Sequence, residues 1–200
     1  MRASARILGL CLALAASRSF GGAQIYEPLS ASVQTALSRA VSDRGVPKVV
    51  FADPADGERW LNEMSARLAK RLPDPAAREE FLKTVHYEAI RAGLDPQLVL
   101  GVIQVESAFR KYAVSRAGAR GYMQVMPFWV ELIGTGEDNL FHLRTNLRYG
   151  CTILRHYIDI EKGDLFRALG RYNGSLGQAE YPNRVIRTWR GNFRYDGTVR

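Results

Sequence analysis

The stretch Asp95-Pro96-Gln97-Leu98-Val99-Leu100-Gly101-Val102-Ile103-Gln104-Val105-Glu106-Ser107-Ala108-Phe109 decides how this chain is read. Asp95 before Pro96 is a helix start: the carboxylate caps free backbone N–H groups, and proline at the first helical position lacks an N–H that would have no partner there. Leu98, Val99, Val102, Ile103 and Val105 predict one helix from Pro96 to about Phe109. Val99, Ile103 and Glu106 follow the i, i+4, i+7 series, and Val102 lies one turn before Glu106, so the glutamate continues the apolar face. A carboxylate buried without a partner is costly, and its usual escape is to hold its proton. A carboxyl protonated near neutral pH is what a general acid needs. Two plainer outcomes stay open from periodicity alone: a helix-end side chain turned to solvent, or an ion pair with Arg110 one turn later.

Outward from this helix the same signals recur. Trp60, Leu61, Met64 and Leu68 form an apolar stripe in a helix from about Asp56, ended by Pro73. Asp74-Pro75 starts another, which buries Phe81, Leu82, Val85 and Ala89 and stops at Gly93. Downstream, Arg110 to Gly121 is polar and glycine-rich, and a short helix is expected from Pro127 to near Gly134. Asn146 is read as the cap of a helix whose face is Leu147, Gly150, Cys151, Leu154 and Ile158, with Cys151 a small core residue. Phe166 to Tyr172 and Val185 to Trp189 read as shorter helices. Ser30 to Val41 can form one more within a weakly patterned lead-in. No alternating run points to a large sheet, so the fold class is all-α. The domain reading is a partly helical N-terminal extension over residues 24–79 and a single domain over 80–195.

Composition limits the function classes. At 200 residues, 46% hydrophobic and 24% charged, the chain is an ordinary globular domain, which excludes a disordered, collagen-like or polytopic membrane protein. Two cysteines and three histidines without metal-ligand spacing exclude a disulfide scaffold and argue against a zinc site. No metal or cofactor is expected. Arg2 and Arg6 precede the apolar run Ile7 to Ala16, and Gly21-Gly22-Ala23 supplies small residues, so residues 1–23 read as a secretory signal peptide cleaved near Ala23. The run is too short for a permanent membrane span. Cleavage would remove three arginines and no acid, lowering the net charge from +8 to +5, and would take Cys11 with it. A basic exported domain suits an anionic extracytoplasmic partner. Arg184, Arg187, Arg190 and Arg194, at three- and four-residue spacing, are read as a solvated face or a contact to anionic wall peptides. Export argues against nucleic acid.

The segment from Ser115 to Pro127 combines small residues with the cluster Tyr122-Met123-Gln124-Val125-Met126. Glycines let backbone approach a ligand, and an amide among aromatics and methionines suits a sugar platform; a packed loop with core methionines is the competing reading. Here the sequence resembles the soluble lytic transglycosylases, relatives of goose-type lysozyme. The resemblance rests on Glu106-Ser107-Ala108-Phe109, Ser115 with Gly118-Ala119, Gly121-Tyr122-Met123-Gln124-Val125-Met126-Pro127, Asn146 with Gly150, and Arg171-Tyr172-Asn173-Gly174, in order over about residues 80 to 190. It implies a lysozyme-like α fold and cleavage of the β-1,4 bond between N-acetylmuramic acid and N-acetylglucosamine in peptidoglycan, leaving a 1,6-anhydro ring. It further implies Glu106 as the single catalytic acid/base, with Ser115, Met123, Gln124, Tyr172 and Asn173 shaping sugar subsites or orienting the glutamate. It places the protein in the periplasm, with glycan strands as partner and an envelope or secretion-machine partner open. Tyr122, Arg171 and Phe128-Trp129 depart from the family pattern and bear on subsite shape.

Glu88, Glu131, Glu137, Asp138 and Glu180 fall outside the matched positions and read as solvated charges. Hydrolysis by water, and a non-catalytic wall-binding module, are the alternatives to the lytic reaction. N-terminal sequencing of the exported protein is expected to begin at Gln24; an intact Met1 on exported material overturns the signal-peptide reading.

Overall fold

Three Asp-Pro pairs set the frame of the molecule. Asp53, Asp74 and Asp95 each sit in extended backbone and turn the carboxylate onto the first free N–H groups of a helix, accepting from Ala55 N, from Ala76 N and Ala77 N, and from Gln97 N and Leu98 N. The computed structural model describes residues 23–43, 45, 51 and 53–197. Their helices are α1 (Ala31–Ser42), α2 (Pro54–Leu68), α3 (Pro75–Arg91), α4 (Pro96–Ser107), α5 (Phe128–Ile133), α6 (Leu143–Ile160), α7 (Leu165–Asn173) and α8 (Glu180–Asn192). Among the described residues no strand forms, and only isolated bridges join Val114 to Arg120 and Arg120 to Val125. The all-α expectation therefore holds. No helix among the described residues is long and apolar enough to cross a membrane. The signal segment lies outside the described residues except for Ala23.

Helix α4 is the centre. From Pro96 to Ile103 every residue is buried, because α4 is covered by α3 on one side and α8 on another. Trp60, Met64 and Leu68 of α2 and Leu37 of α1 join the same core as Val99, Ile103, Leu147 and Leu154, so the N-terminal extension packs onto the domain it precedes. Cys151 is wholly buried in α6, as a small core residue should be, and burial pushes its thiol pKa up, leaving it inert.

Several boundaries differ from expectation for physical reasons. Helix α2 begins at Pro54, because Asp53-Pro54 supplies the start signal three residues before Asp56. Helix α4 stops at Ser107. Ala108 and Phe109 both take left-handed backbone, φ 50° and 65°, which swings the Phe109 ring into the core against Phe81 and Phe193, at centroid distances of 5.9 and 6.1 Å. Left-handed backbone costs a non-glycine residue about 1–2 kcal/mol, and the burial of Phe109 offsets it. Helix α6 begins four residues before Leu147, at Leu143, with His142 at the N-cap position and no side-chain cap; Asn146 lies inside its first turn and does not cap it.

Glu88 reverses its reading as a solvated charge. It is wholly buried in α3, where Arg91 Nε donates to Oε2 at 2.8 Å and Arg148 Nη2 to Oε1 at 2.9 Å, with Arg144 Nε 3.5 Å away. Arg91 also reaches Ala40 O and Thr152 Oγ1, so the cluster ties α1, α3 and α6 together. Removing one partner of a buried ion pair costs about 3–5 kcal/mol. Glu88→Ala is therefore expected to lower the melting temperature sharply in a thermal denaturation scan, and an unchanged melting temperature would contradict this account of the cluster.

Candidate active site

Glu106 occupies the last turn of α4, one residue before the helix ends. Its neighbours Val102 and Ile103 are wholly buried, while Glu106 as a residue is partly covered. Arg110 does not take it: Arg110 is exposed and its Nε donates to Ser107 O. The partner is Tyr181, in the first turn of α8, whose hydroxyl donates to Glu106 Oε1 at 2.6 Å. Burial pushes the Glu106 pKa up to about 7, against the opposing effects of the Tyr181 hydrogen bond and the Arg184 charge. Tyr172 and Tyr181 are both buried, and burial together with the charge of the carboxyl raises their own phenol pKa values. The arrangement is one carboxyl that holds a proton near neutral pH, oriented by a phenol.

The loop from Ala113 to Met126 is built by hydrogen bonds. Arg120 and Val125 exchange N–H···O bonds at 2.9 and 3.0 Å, Gly121 N donates to Ala113 O, and Ser115 N donates to Ala119 O. Beneath it lies Asn146. Its Oδ1 accepts from Met123 N at 2.8 Å, and its Nδ2 donates to Arg120 O and Leu140 O, each at 2.9 Å. Gly121, at φ 75°, has to be glycine, because a Cβ there would collide with the Asn146 amide. At Gly150, one turn further along α6, a Cβ would collide with the Met123 side chain. The glycines and the asparagine of the motif are thus a seat for the loop.

The structure distributes the expected site residues over distinct positions. Ser115 Oγ accepts from Ala119 N and closes its own turn, with no bond to Glu106. Met123 and Tyr172 have no exposed surface, and Tyr172 Oη donates to Met123 O at 2.8 Å. Gln124 is nearly buried with φ 50°; its Nε2 donates to Ala113 O and Gly121 O and holds the left-handed turn. Asn173 ends α7 with little exposure. Tyr172 bonds the loop from α7, and Met123 and Gln124 brace the loop from within.

Tyr181 is a site residue that sequence reasoning missed. The available signal was its place with Val185 on the inner face of α8, since a buried tyrosine hydroxyl needs a partner. Of the other carboxylates, Asp138 accepts from Tyr149 Oη at 2.6 Å, Glu88 is clamped by arginine, and Glu131, Glu137 and Glu180 are exposed. The roomiest described cavity, about 670 Å³, lies between α1, α5 and α6, lined by Arg39, Arg144, Arg148 and Asp138, and shares no residue with the Glu106 site. The chemistry, and not cavity size, marks the site.

The sequence profile of the transglycosylase SLT domain matches residues 83–185, and the chain belongs to that family. A transglycosylase of Enterobacteria phage PRD1 is 32% identical over 127 residues, covering 60% of this chain and 47% of the phage protein. Membrane-bound lytic murein transglycosylase C of Actinobacillus pleuropneumoniae is 52% identical over 48 residues, 24% of this chain and 13% of that protein. The chain thus spans under half the length of each. An inactive mutant of the lytic transglycosylase Slt of Pseudomonas aeruginosa aligns over 66% of this chain and 24% of that one, with a TM-score of 0.43 and 26% identity.

The raised pKa has a stability consequence. The folded state keeps the Glu106 proton to about pH 7, while the unfolded chain releases it near 4.5. Stability from this group is therefore full below about pH 4.5 and is lost as pH rises toward 7, by up to about 3 kcal/mol at about 1.4 kcal/mol per pKa unit. Glu106→Gln is expected to gain on wild type in melting temperature between pH 5 and 8, with no further gain above. Tyr181→Phe removes the bond that favours the charged carboxyl, so its fall in melting temperature is expected to extend to higher pH; matching pH dependences in wild type and Tyr181→Phe would show that the phenol does not act on Glu106.

Proposed function

We propose that the protein is a peptidoglycan lytic transglycosylase with Glu106 as its single acid/base, acting in the cell envelope. The observation that carries this reading is the Glu106 carboxyl, raised to about 7 by burial and held by Tyr181, in a chain of the SLT family. The names of the relatives, a transglycosylase and a membrane-bound lytic murein transglycosylase, support the substrate and the envelope location.

The reaction needs only one carboxyl. Protonated Glu106 gives its proton to the oxygen between N-acetylmuramic acid and N-acetylglucosamine as the C1–O bond breaks. The resulting carboxylate then takes the proton of the muramoyl 6-hydroxyl while that oxygen bonds to C1 and closes the 1,6-anhydro ring. The nucleophile belongs to the substrate and needs no second carboxylate to activate water, unlike the two-carboxylate pattern of most glycosidases. Glu106 ends the cycle protonated. Within this reading the loop from Ala113 to Met126 forms one wall of the glycan groove, with Ser115 near its surface and Met123, Gln124, Tyr172 and Asn173 behind it. The segment 24–79 acts as a brace on the catalytic domain, and a signal peptide delivers the chain to the periplasm.

Glu106→Gln keeps the shape and removes proton transfer, so release of muropeptides from purified sacculi is expected to fall by at least ~10²–10⁴ while glycan binding persists. Mass spectrometry of the wild-type products is expected to show anhydro ends. Reducing ends in their place would establish hydrolysis, and a near wild-type rate in the glutamine variant would rule out the single-glutamate mechanism.

A further inference from the structure

The catalytic loop is also held from outside, by a segment that lies beyond the family match at residues 83–185. Gln24 is nearly buried, although its neighbours Ile25 and Tyr26 are among the most exposed apolar side chains of the molecule. Both ends of its side-chain amide are engaged: Nε2 donates to Gln124 O at 3.1 Å, and Oε1 accepts from Met126 N at 2.8 Å. It satisfies two backbone groups on either side of Val125 that the loop does not satisfy itself. The flanking residues anchor the same strap. The Tyr26 ring meets Phe128 edge-on at 5.6 Å, and Glu27 pairs with Arg171 at 2.9 Å.

These contacts converge on one short stretch. Met123 N is held by Asn146, Met123 O by Tyr172, Gln124 O and Met126 N by Gln24, and the left-handed backbone of Gln124 lies between them. Tyr172, fixed to this stretch, lies on α7, which packs against α8, the helix whose Tyr181 holds Glu106. Strained backbone persists only where the surroundings over-determine it, and Gln24 supplies one of the three supports from a position about 100 residues distant in sequence.

We propose that Gln24 is a positioning residue for the reaction: its amide locks residues 124–126 so that the loop, Tyr172 and Glu106 keep their working geometry. The inference rests on the lytic reading of the Glu106 site. Gln24 then acts as a further support for the groove wall, and residues 24–79 do more than brace the fold.

The test uses Gln24→Ala and Gln24→Met in the exported chain, with the methionine keeping volume while both hydrogen bonds are lost. Exposed Ile25→Ala is the control, expected to behave as wild type. Assayed on sacculi well below each melting temperature, both Gln24 variants are expected to lose about tenfold in kcat, since small misplacements at a reacting centre are costly. The alkaline limb of the rate profile should move to lower pH as water reaches Glu106, and amide exchange at Met126 should quicken. If Gln24→Ala does not fold, Gln24→Met decides. Variants that melt earlier but keep wild-type kcat and the same alkaline limb would overturn the proposal and leave Gln24 a stability contact. Wild-type protein that releases no anhydro ends, and is indifferent to Glu106→Gln, would instead overturn the lytic reading, with Met126 exchange still reporting whether Gln24 holds the loop.

Discussion

The carboxamide of Asn146 accepts one backbone hydrogen bond and donates two, and through them the loop from Ala113 to Met126 is fastened to α6. Each group it satisfies lies in or against buried backbone, where an unpaired donor or acceptor costs about 1–3 kcal/mol. Only an asparagine in the first turn of α6 reaches Arg120, Met123 and Leu140 together, and only glycine at 121 lets the backbone come that near. The geometry around the acid depends on that seat. Met123 stays against Gly150, its carbonyl accepts from Tyr172, and α7, which carries Tyr172, packs on α8, which carries Tyr181. The loop also buries Ala119, Tyr122, Met123 and Val125, so hydrogen bonds and apolar burial together give it one conformation.

Glu88 and Glu106 show how the surroundings assign different work to the same residue type. Both lie on helices against the core. Glu88 meets the guanidinium groups of Arg91, Arg144 and Arg148 and ties three helices together. Glu106 meets one phenol, with Arg184 as its cationic influence, and retains a proton to about pH 7. Three facing cations make a carboxylate a structural tie; a phenol and partial burial leave it able to give and take a proton.

The backbone around the acid is strained while its surroundings are well satisfied. Ala108, Phe109 and Gln124 take left-handed conformations without being glycine. The Phe109 ring is buried among aromatics, and Gln124 is pinned by its own amide and by Gln24. Local strain compensated by tertiary contacts is common where geometry serves chemistry. It also explains why helix propensity alone runs α4 on to Phe109: the chain leaves the helix to bury that ring.

Much of this was legible in the order of residues. Asp-Pro pairs start helices because an N-cap carboxylate and a proline at the first position act on their immediate neighbours, and 3.6-residue periodicity placed Glu106 on the apolar side of α4 for the same local reason. The motifs from Glu106 to Gly174 carried the family. Only the tertiary structure decided whom the buried polar groups meet. Tyr181 reaches Glu106 across 75 residues, Arg148 reaches Glu88 across 60, and Gln24 reaches Gln124 across 100. Local spacing favoured a capping role for Asn146, yet the amide turned to the loop, because the loop's carbonyls and N–H groups had no other partner there. Sequence determines where a helix starts and which face it buries, since those depend on residues a few positions apart. The pairing of a buried carboxyl with a phenol or an arginine depends on which helices pack together, and that is set by the whole core.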